Sequence, residues 1–84
     1  MTELAGKVAF ITGAGDGMGR AHALLMAERG ADIAIVDLRG EFAEETGRLV
    51  REKGRKAFVA EVDMADIAAV QQSVSDATSA LGPI

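Results

Sequence analysis

The strongest constraint in this sequence is an alternation. Three short apolar runs, Val8-Ala9-Phe10-Ile11, Ile33-Ala34-Ile35-Val36 and Ala57-Phe58-Val59-Ala60 (continuing through Glu61 to Val62), are each followed by a stretch with helical periodicity. The runs start about 25 residues apart, the length of one strand plus one returning helix. The first two are continuously apolar, as parallel strands covered by helices on both faces should be. Glu61 interrupts the third and predicts a less protected position near a sheet edge. In the last helical stretch Ile67, Val70, Val74, Ala77 and Leu81 fall at offsets 0, 3, 7, 10 and 14, which defines one face. In the second, Phe42, Thr46, Leu49 and Val50 form the apolar face, and Glu41, Glu44, Glu45, Arg48, Arg51, Glu52 and Lys53 form the solvated remainder. The first, from about Gly17 to Arg29, is expected to bury Met18, Ala21, Leu24 and Leu25. Gly30, Gly54 and Gly82 follow the three helices, where a left-handed residue commonly ends the spiral, and Pro83 forbids continuation. The predicted fold is α/β: a parallel Rossmann-like sheet flanked by helices, the first β-α-β-α-β-α half of a doubly wound fold. Ligands of such sheets bind beyond the carboxyl ends of the strands.

Composition narrows the chemistry. A chain of 84 residues, 49% hydrophobic and 26% charged, has the size of one small domain and leaves little room for an internal substrate cavity. With no Cys, disulfides, thiolate nucleophiles and sulfur-ligated metal sites are excluded, and no metal site is expected. Nine Lys and Arg against thirteen Asp and Glu give a net charge of -4, and the basic residues are dispersed, so the footprint of a nucleic-acid binder is missing. The start, Met1 to Lys7, shows no positively charged stretch leading into an apolar segment, and no apolar run approaches the roughly 18 residues of a membrane span. The expectation is a cytoplasmic chain with neither nucleic acid nor membrane as a partner.

Four of the ten glycines lie in Gly13-Ala14-Gly15-Asp16-Gly17-Met18-Gly19, between the first predicted strand and the first predicted helix. A diphosphate needs backbone N–H donors, a positive helix end and no side chains barring its approach. A glycine-rich strand-to-helix turn supplies all three. The usual G-x-G-x-x-G spacing is not met: Arg20 or His22 takes the third position when Gly15 or Gly17 leads. No Gly-Lys-Ser/Thr follows, so this is not a P-loop either. A second signal is Asp37, at the end of the second strand and 18 residues after Gly19, in the range where an acid hydrogen-bonds an adenosine ribose. Its carboxylate would repel a 2′-phosphate, which favours NAD over NADP. An Asp that merely caps a turn is the plainer reading of the same residue. Arg39 could pair with a phosphate and points the other way.

What the turn does fit is Thr12-Gly13-x-x-x-Gly17-x-Gly19, which resembles the Thr-Gly-x-x-x-Gly-x-Gly motif of the short-chain dehydrogenase/reductase family. Members transfer hydride between a nicotinamide cofactor and an alcohol or carbonyl. The resemblance implies a cofactor site at Gly13, Asp16, Gly17, Met18 and Gly19, at Asp37 and Leu38, and at Asp63 and Met64. The last pair looks like the Asp-Val that meets the adenine, with the Asp63 carboxylate facing the exocyclic amine; Asp63 could equally cap the third helix. Asp16 departs from the family pattern by placing a negative charge in the phosphate loop. It is tolerable if its side chain faces solvent, and it argues further against NADP. His22, the sole histidine, is read as a packing residue rather than an acid or base, and Ser73, Ser75 and Ser79 lack the partners of a nucleophile.

The family's catalysis resembles a proton relay through a Tyr-x-x-x-Lys motif assisted by Ser and Asn, and this chain contains neither Tyr nor Asn. No catalytic residue is therefore expected here. The resemblance corresponds to the N-terminal third of such a protein, so the chain reads as truncated before a fourth strand, with the outer edge of strand one unpaired and prone to self-association. The intact protein is expected to be an NAD-dependent, homo-oligomeric oxidoreductase acting on a small alcohol or ketone. Two alternatives stand: a non-catalytic dinucleotide-binding or interaction module, and an S-adenosylmethionine-binding methyltransferase fragment. The latter usually wants an acid before the loop, where Ile11 and Thr12 stand.

Overall fold

The computed structural model describes residues 3–84. The elements are β1 (Val8–Thr12), α1 (Gly17–Glu28), β2 (Asp32–Asp37), α2 (Gly40–Glu52), β3 (Ala57–Glu61) and α3 (Ile67–Leu81), the predicted order. They form a Rossmann-like α/β sheet of order β1-β2-β3, parallel at both junctions. Burial follows position in the sheet. Ile33, Ala34, Ile35 and Val36 of the central strand are all fully buried, as a continuously apolar run requires. The pleat sends alternate residues to opposite faces. Ile33 and Ile35 join Ala23 and Ala27 of α1 and Ala43 and Val50 of α2 in one cluster. The other face, carrying Ala34 and Val36, is left for α3, which packs against β2 and β3.

Two expectations about burial need correction. The run in β1 suggested a strand covered on both faces, but Val8 to Ile11 are only half-buried, because among the described residues β1 pairs with β2 alone. The predicted helix faces are also displaced. In α1 the buried residues are Ala23 and Ala27, whereas Met18, Ala21 and Leu25 are exposed and Leu24 is half-buried. In α2 the face is Ala43, Thr46, Gly47 and Val50, with Phe42 exposed and Leu49 half-buried. In α3 only Ala77 of the predicted stripe is buried, next to Ser73; Ile67 and Val74 are exposed. The reason is distance: a helix that lies close on a sheet does so through small side chains, while periodicity weighted by apolar bulk selects the large ones beside them. Ser73 enters the core because its hydroxyl donates to the Val70 carbonyl at 2.7 Å.

The helix ends behave as read. Gly30, Gly54 and Gly82 all take positive φ (104°, 83° and 101°) after α1, α2 and α3. No described helix is long and apolar enough to cross a membrane.

Candidate functional site

The parallel register brings the carboxyl ends of the strands level, with Thr12 opposite Val36 and Asp37 opposite Glu61. Two further bonds carry the alignment into the loops: Ala14 N–H donates to the Val36 carbonyl at 3.4 Å, and Val62 N–H to the Asp37 carbonyl at 3.0 Å. All three loops that hold the sequence-predicted site residues therefore leave from one edge of the sheet.

The four glycines of the first loop do two different things. Gly13 and Gly17 have φ of 64° and 55°, and a Cβ at either would meet nothing within 4 Å, so they turn the chain and leave its outer surface bare. Gly15 and Gly19 lie against the protein. A Cβ on Gly15 would sit 2.6 Å from Asp37 Oδ2 and 2.9 Å from Phe42 Cβ, and one on Gly19 would overlap the Gly13 carbonyl. Behind the bare surface is the start of α1. Asp16 is its N-cap residue, but the side chain makes no capping bond, and the N–H groups of Gly17, Met18 and Gly19 have no acceptor among the described residues. Three adjacent unpaired donors at the positive end of a helix can seat an anion.

Asp37 closes the inner side of this seat. It is 5% exposed, and its two oxygens accept separate backbone bonds: Oδ2 from Gly15 N–H at 2.8 Å and Oδ1 from Arg39 N–H at 2.8 Å. Burial pushes the carboxyl pKa up, but the N–H bonds from Arg39 and Gly15 and the Arg39 charge outweigh it and hold the group below the ordinary carboxylate value. The group is therefore ionised at neutral pH. A third, longer bond reaches Oδ1 from Arg39 Nε at 3.5 Å; a carboxylate offers about four lone-pair positions, so room for a further donor remains, chiefly at Oδ2. The turn-capping reading and the ligand-binding reading of Asp37 are thus compatible in one side chain.

Two residues absent from the sequence-predicted site, Thr46 and Arg20, hold the loop in place at Gly15. Thr46 of α2, fully buried, donates to the Gly15 carbonyl at 3.1 Å and accepts from Arg20 Nε at 2.8 Å. Arg20 also donates through Nη2 to the Gly15 carbonyl. Gly15 thereby has both backbone groups engaged, and the loop is tied to β2, α1 and α2 at one residue. The only signal of this in the sequence is the fourth glycine, which the family motif leaves unspecified.

Asp16 is half-exposed, as its tolerance required, but it is not simply solvated. Its carboxylate accepts two bonds from Arg39, at 2.8 Å (Nη2 to Oδ1) and 3.2 Å (Nη1 to Oδ2). The same guanidinium lies 4.5 Å above the Phe42 ring and 3.5 Å, through Nε, from Asp37 Oδ1. Arg39, read as an argument for a phosphate, is thus occupied by the acid beside it.

The remaining predicted residues line the same edge without bonding to the loop. Leu38 is 63% exposed, Met64 41% and Met18 74%, so apolar side chains stand in solvent where the strands end. Asp63 is exposed, and its Oδ1 accepts from Ala65 N–H at 2.9 Å within a turn. It does not cap α3, as the alternative had it: that role belongs to Asp66, whose side chain accepts from Ala69 N–H at 3.1 Å. His22 is exposed on α1 rather than packed.

A family model described as short chain dehydrogenase matches residues 7–84. Among curated proteins, the chain is 36% identical over 94 residues to (-)-trans-carveol dehydrogenase of Rhodococcus erythropolis, covering 98% of this chain and 34% of that protein. It is 39% identical over 79 residues to 2,3-dihydro-2,3-dihydroxybenzoate dehydrogenase of Bacillus subtilis, covering 94% of this chain and 30% of that protein. Among solved structures, carveol dehydrogenase from Mycobacterium avium in complex with NAD superposes with a TM-score of 0.95 at 36% identity, over 100% of this chain and 35% of the other. The short chain dehydrogenase from Mycobacterium paratuberculosis bound to NAD gives 0.94 at 41% identity, over 98% and 35%. The chain thus spans about a third of the length of these relatives.

Proposed function

The chain belongs to the short-chain dehydrogenase family, and from that premise we propose that it forms the adenosine-diphosphate side of an NAD site in an oxidoreductase acting on a small alcohol or ketone. When bound, the dinucleotide supplies the hydride donor or acceptor. In this reading the N–H groups of Gly17, Met18 and Gly19 hold the diphosphate, and Gly13 and Gly17 keep its approach clear. Asp37 accepts from the ribose hydroxyls through its free lone pairs. Leu38, Asp63 and Met64 border the adenine. The observation that carries the proposal is the adjacency of three unpaired helix-end donors to an ionised Asp37 that keeps acceptor capacity, joined through Gly15. The residues fit the group: bare glycine backbone on the open side, donors for negative oxygens, and an acceptor for a diol.

The proton relay implied by the family requires a Tyr and an Asn, neither of which occurs in these 84 residues, so the proposal assigns binding and no catalytic step to this chain. Alcohol or carbonyl substrates, assembly into homo-oligomers and a cytoplasmic setting belong to the proposal for the whole protein. The test is a pair of titrations with NADH and NADPH on the full-length protein. Asp37→Ala is expected to weaken NADH by about tenfold or more while affecting NADPH far less, since it removes both a diol acceptor and a charge that repels a 2′-phosphate. Equal losses for the two would remove Asp37 from the ribose site.

A further inference from the structure

Resting on the NAD reading above, we propose that Asp16 is a specificity-determining positioning residue: by holding Arg39 in a two-bond ion pair, it denies that guanidinium to a 2′-phosphate and so excludes NADP.

Arg39 stands where such a phosphate would need a cation. Its Nε lies 3.5 Å from Asp37 Oδ1, so any group attached to a hydroxyl that Asp37 binds falls within reach of the guanidinium. An arginine at this place in the fold is the usual means of accommodating the extra phosphate. Here both terminal nitrogens are turned to Asp16, at 2.8 and 3.2 Å, with the central carbon over Phe42 at 4.5 Å from the ring centroid. A planar fork that already donates to a carboxylate has its best donors engaged. Asp16, Arg39 and Asp37 carry two negative charges and one positive, a local balance hostile to a dianionic phosphate. The other arginine at this corner, Arg20, is spent on Thr46 and the Gly15 and Phe42 carbonyls. Without Asp16, only Asp37 would oppose the phosphate, and Arg39 would be free to bind it.

The pair also acts in the opposite direction. An Asp at an N-cap ordinarily accepts from the second or third helical N–H, here Met18 or Gly19, which are two of the donors assigned to the diphosphate. Arg39 draws the carboxylate away, and the cap bond is absent. Each member therefore prevents the other from interfering: Asp16 from occupying the diphosphate seat, Arg39 from welcoming a second phosphate. Two single substitutions should have distinct effects that cancel in the double variant.

The experiment is a calorimetric or fluorescence titration of NADH and NADPH into the full-length protein and its Asp16→Ala, Arg39→Ala and Asp16→Ala/Arg39→Ala variants, with circular dichroism verifying the fold of each. Asp16→Ala is expected to lower the ratio of Kd for NADPH to Kd for NADH by about tenfold. Adding Arg39→Ala should abolish that gain. Arg39→Ala alone should weaken NADH, and the double variant should recover it; Asp16→Glu, which keeps the charge, should keep the native ratio. Asp16→Ser replaces the Ala variant if the latter fails to fold. An unchanged ratio in Asp16→Ala, or a gain that persists without Arg39, overturns the inference. Failure of the unsubstituted protein to bind NADH, or to prefer it, overturns instead the NAD reading on which the inference rests.

Discussion

A methyl group on Gly15 would stand 2.6 Å from the Asp37 carboxylate, and that single distance joins the loop to the residue proposed to bind the ribose. Gly15→Ala is expected to destabilise the fold by ~1–3 kcal/mol, as overpacking of a closed contact does, and to weaken NADH because Asp37 must shift. Urea denaturation with a parallel NADH titration checks both. Asp37 makes a second prediction, in acid. Its carboxyl is held below the ordinary value of 3.8, so its ionised form favours the native state. The stabilisation is complete above the unfolded value and is lost as pH falls through the lower native one. Asp37→Asn should therefore be less stable than the native protein in urea at pH 7, and the gap should close in strong acid; a constant gap at all pH values would contradict the assigned ionisation. The placement of Asp37 and the glycines at the strand ends is legible in the sequence because each follows a local rule of spacing. Thr46 and Arg20 were not, because their roles come from a contact between α1 and α2 that no local pattern encodes.

At the scale of elements, the order and type of all six were readable, since continuous apolar runs and glycine stops are strong local signals. Their facing was not. Of the expected faces, Ala77 in α3 and Thr46 and Val50 in α2 are buried; α1 and α3 otherwise approach the sheet through Ala23, Ala27 and Ser73, beside the larger residues that apolar periodicity selects. The same close approach governs α2. A Cβ on Gly47 would sit 2.6 Å from Val59 Cγ2 of β3. Gly47→Ala, which in an open helix should stabilise by roughly 0.5–1 kcal/mol, is expected to destabilise by ~1–3 kcal/mol instead. A denaturant midpoint that rises in this variant would show that α2 can lift from the sheet without cost.

For the molecule as a whole, the geometry of the sheet separates the candidate site from the unpaired outer edge of β1. The loops of the site leave the carboxyl ends of the strands, while β1 pairs only with β2 and keeps the ladder groups of its other side unpaired among the described residues. A polypeptide of these 84 residues alone is expected to self-associate through β1, visible as concentration-dependent sedimentation. A stable, non-associating monomer would contradict this. The edge position of β1 agrees with the family resemblance, whereas its half-buried faces follow from its pairing with β2 alone among the described residues and not from its composition. The central claim is that the start of α1 and Asp37 together bind an NAD-type dinucleotide, and titration of NADH into the full-length protein and its Gly17→Val variant tests it most directly. The native protein should bind saturably, and the variant, still folded by circular dichroism, should lose binding because a side chain now fills the bare approach to the helix-end donors. Unchanged NADH affinity in a folded Gly17→Val protein would contradict the claim.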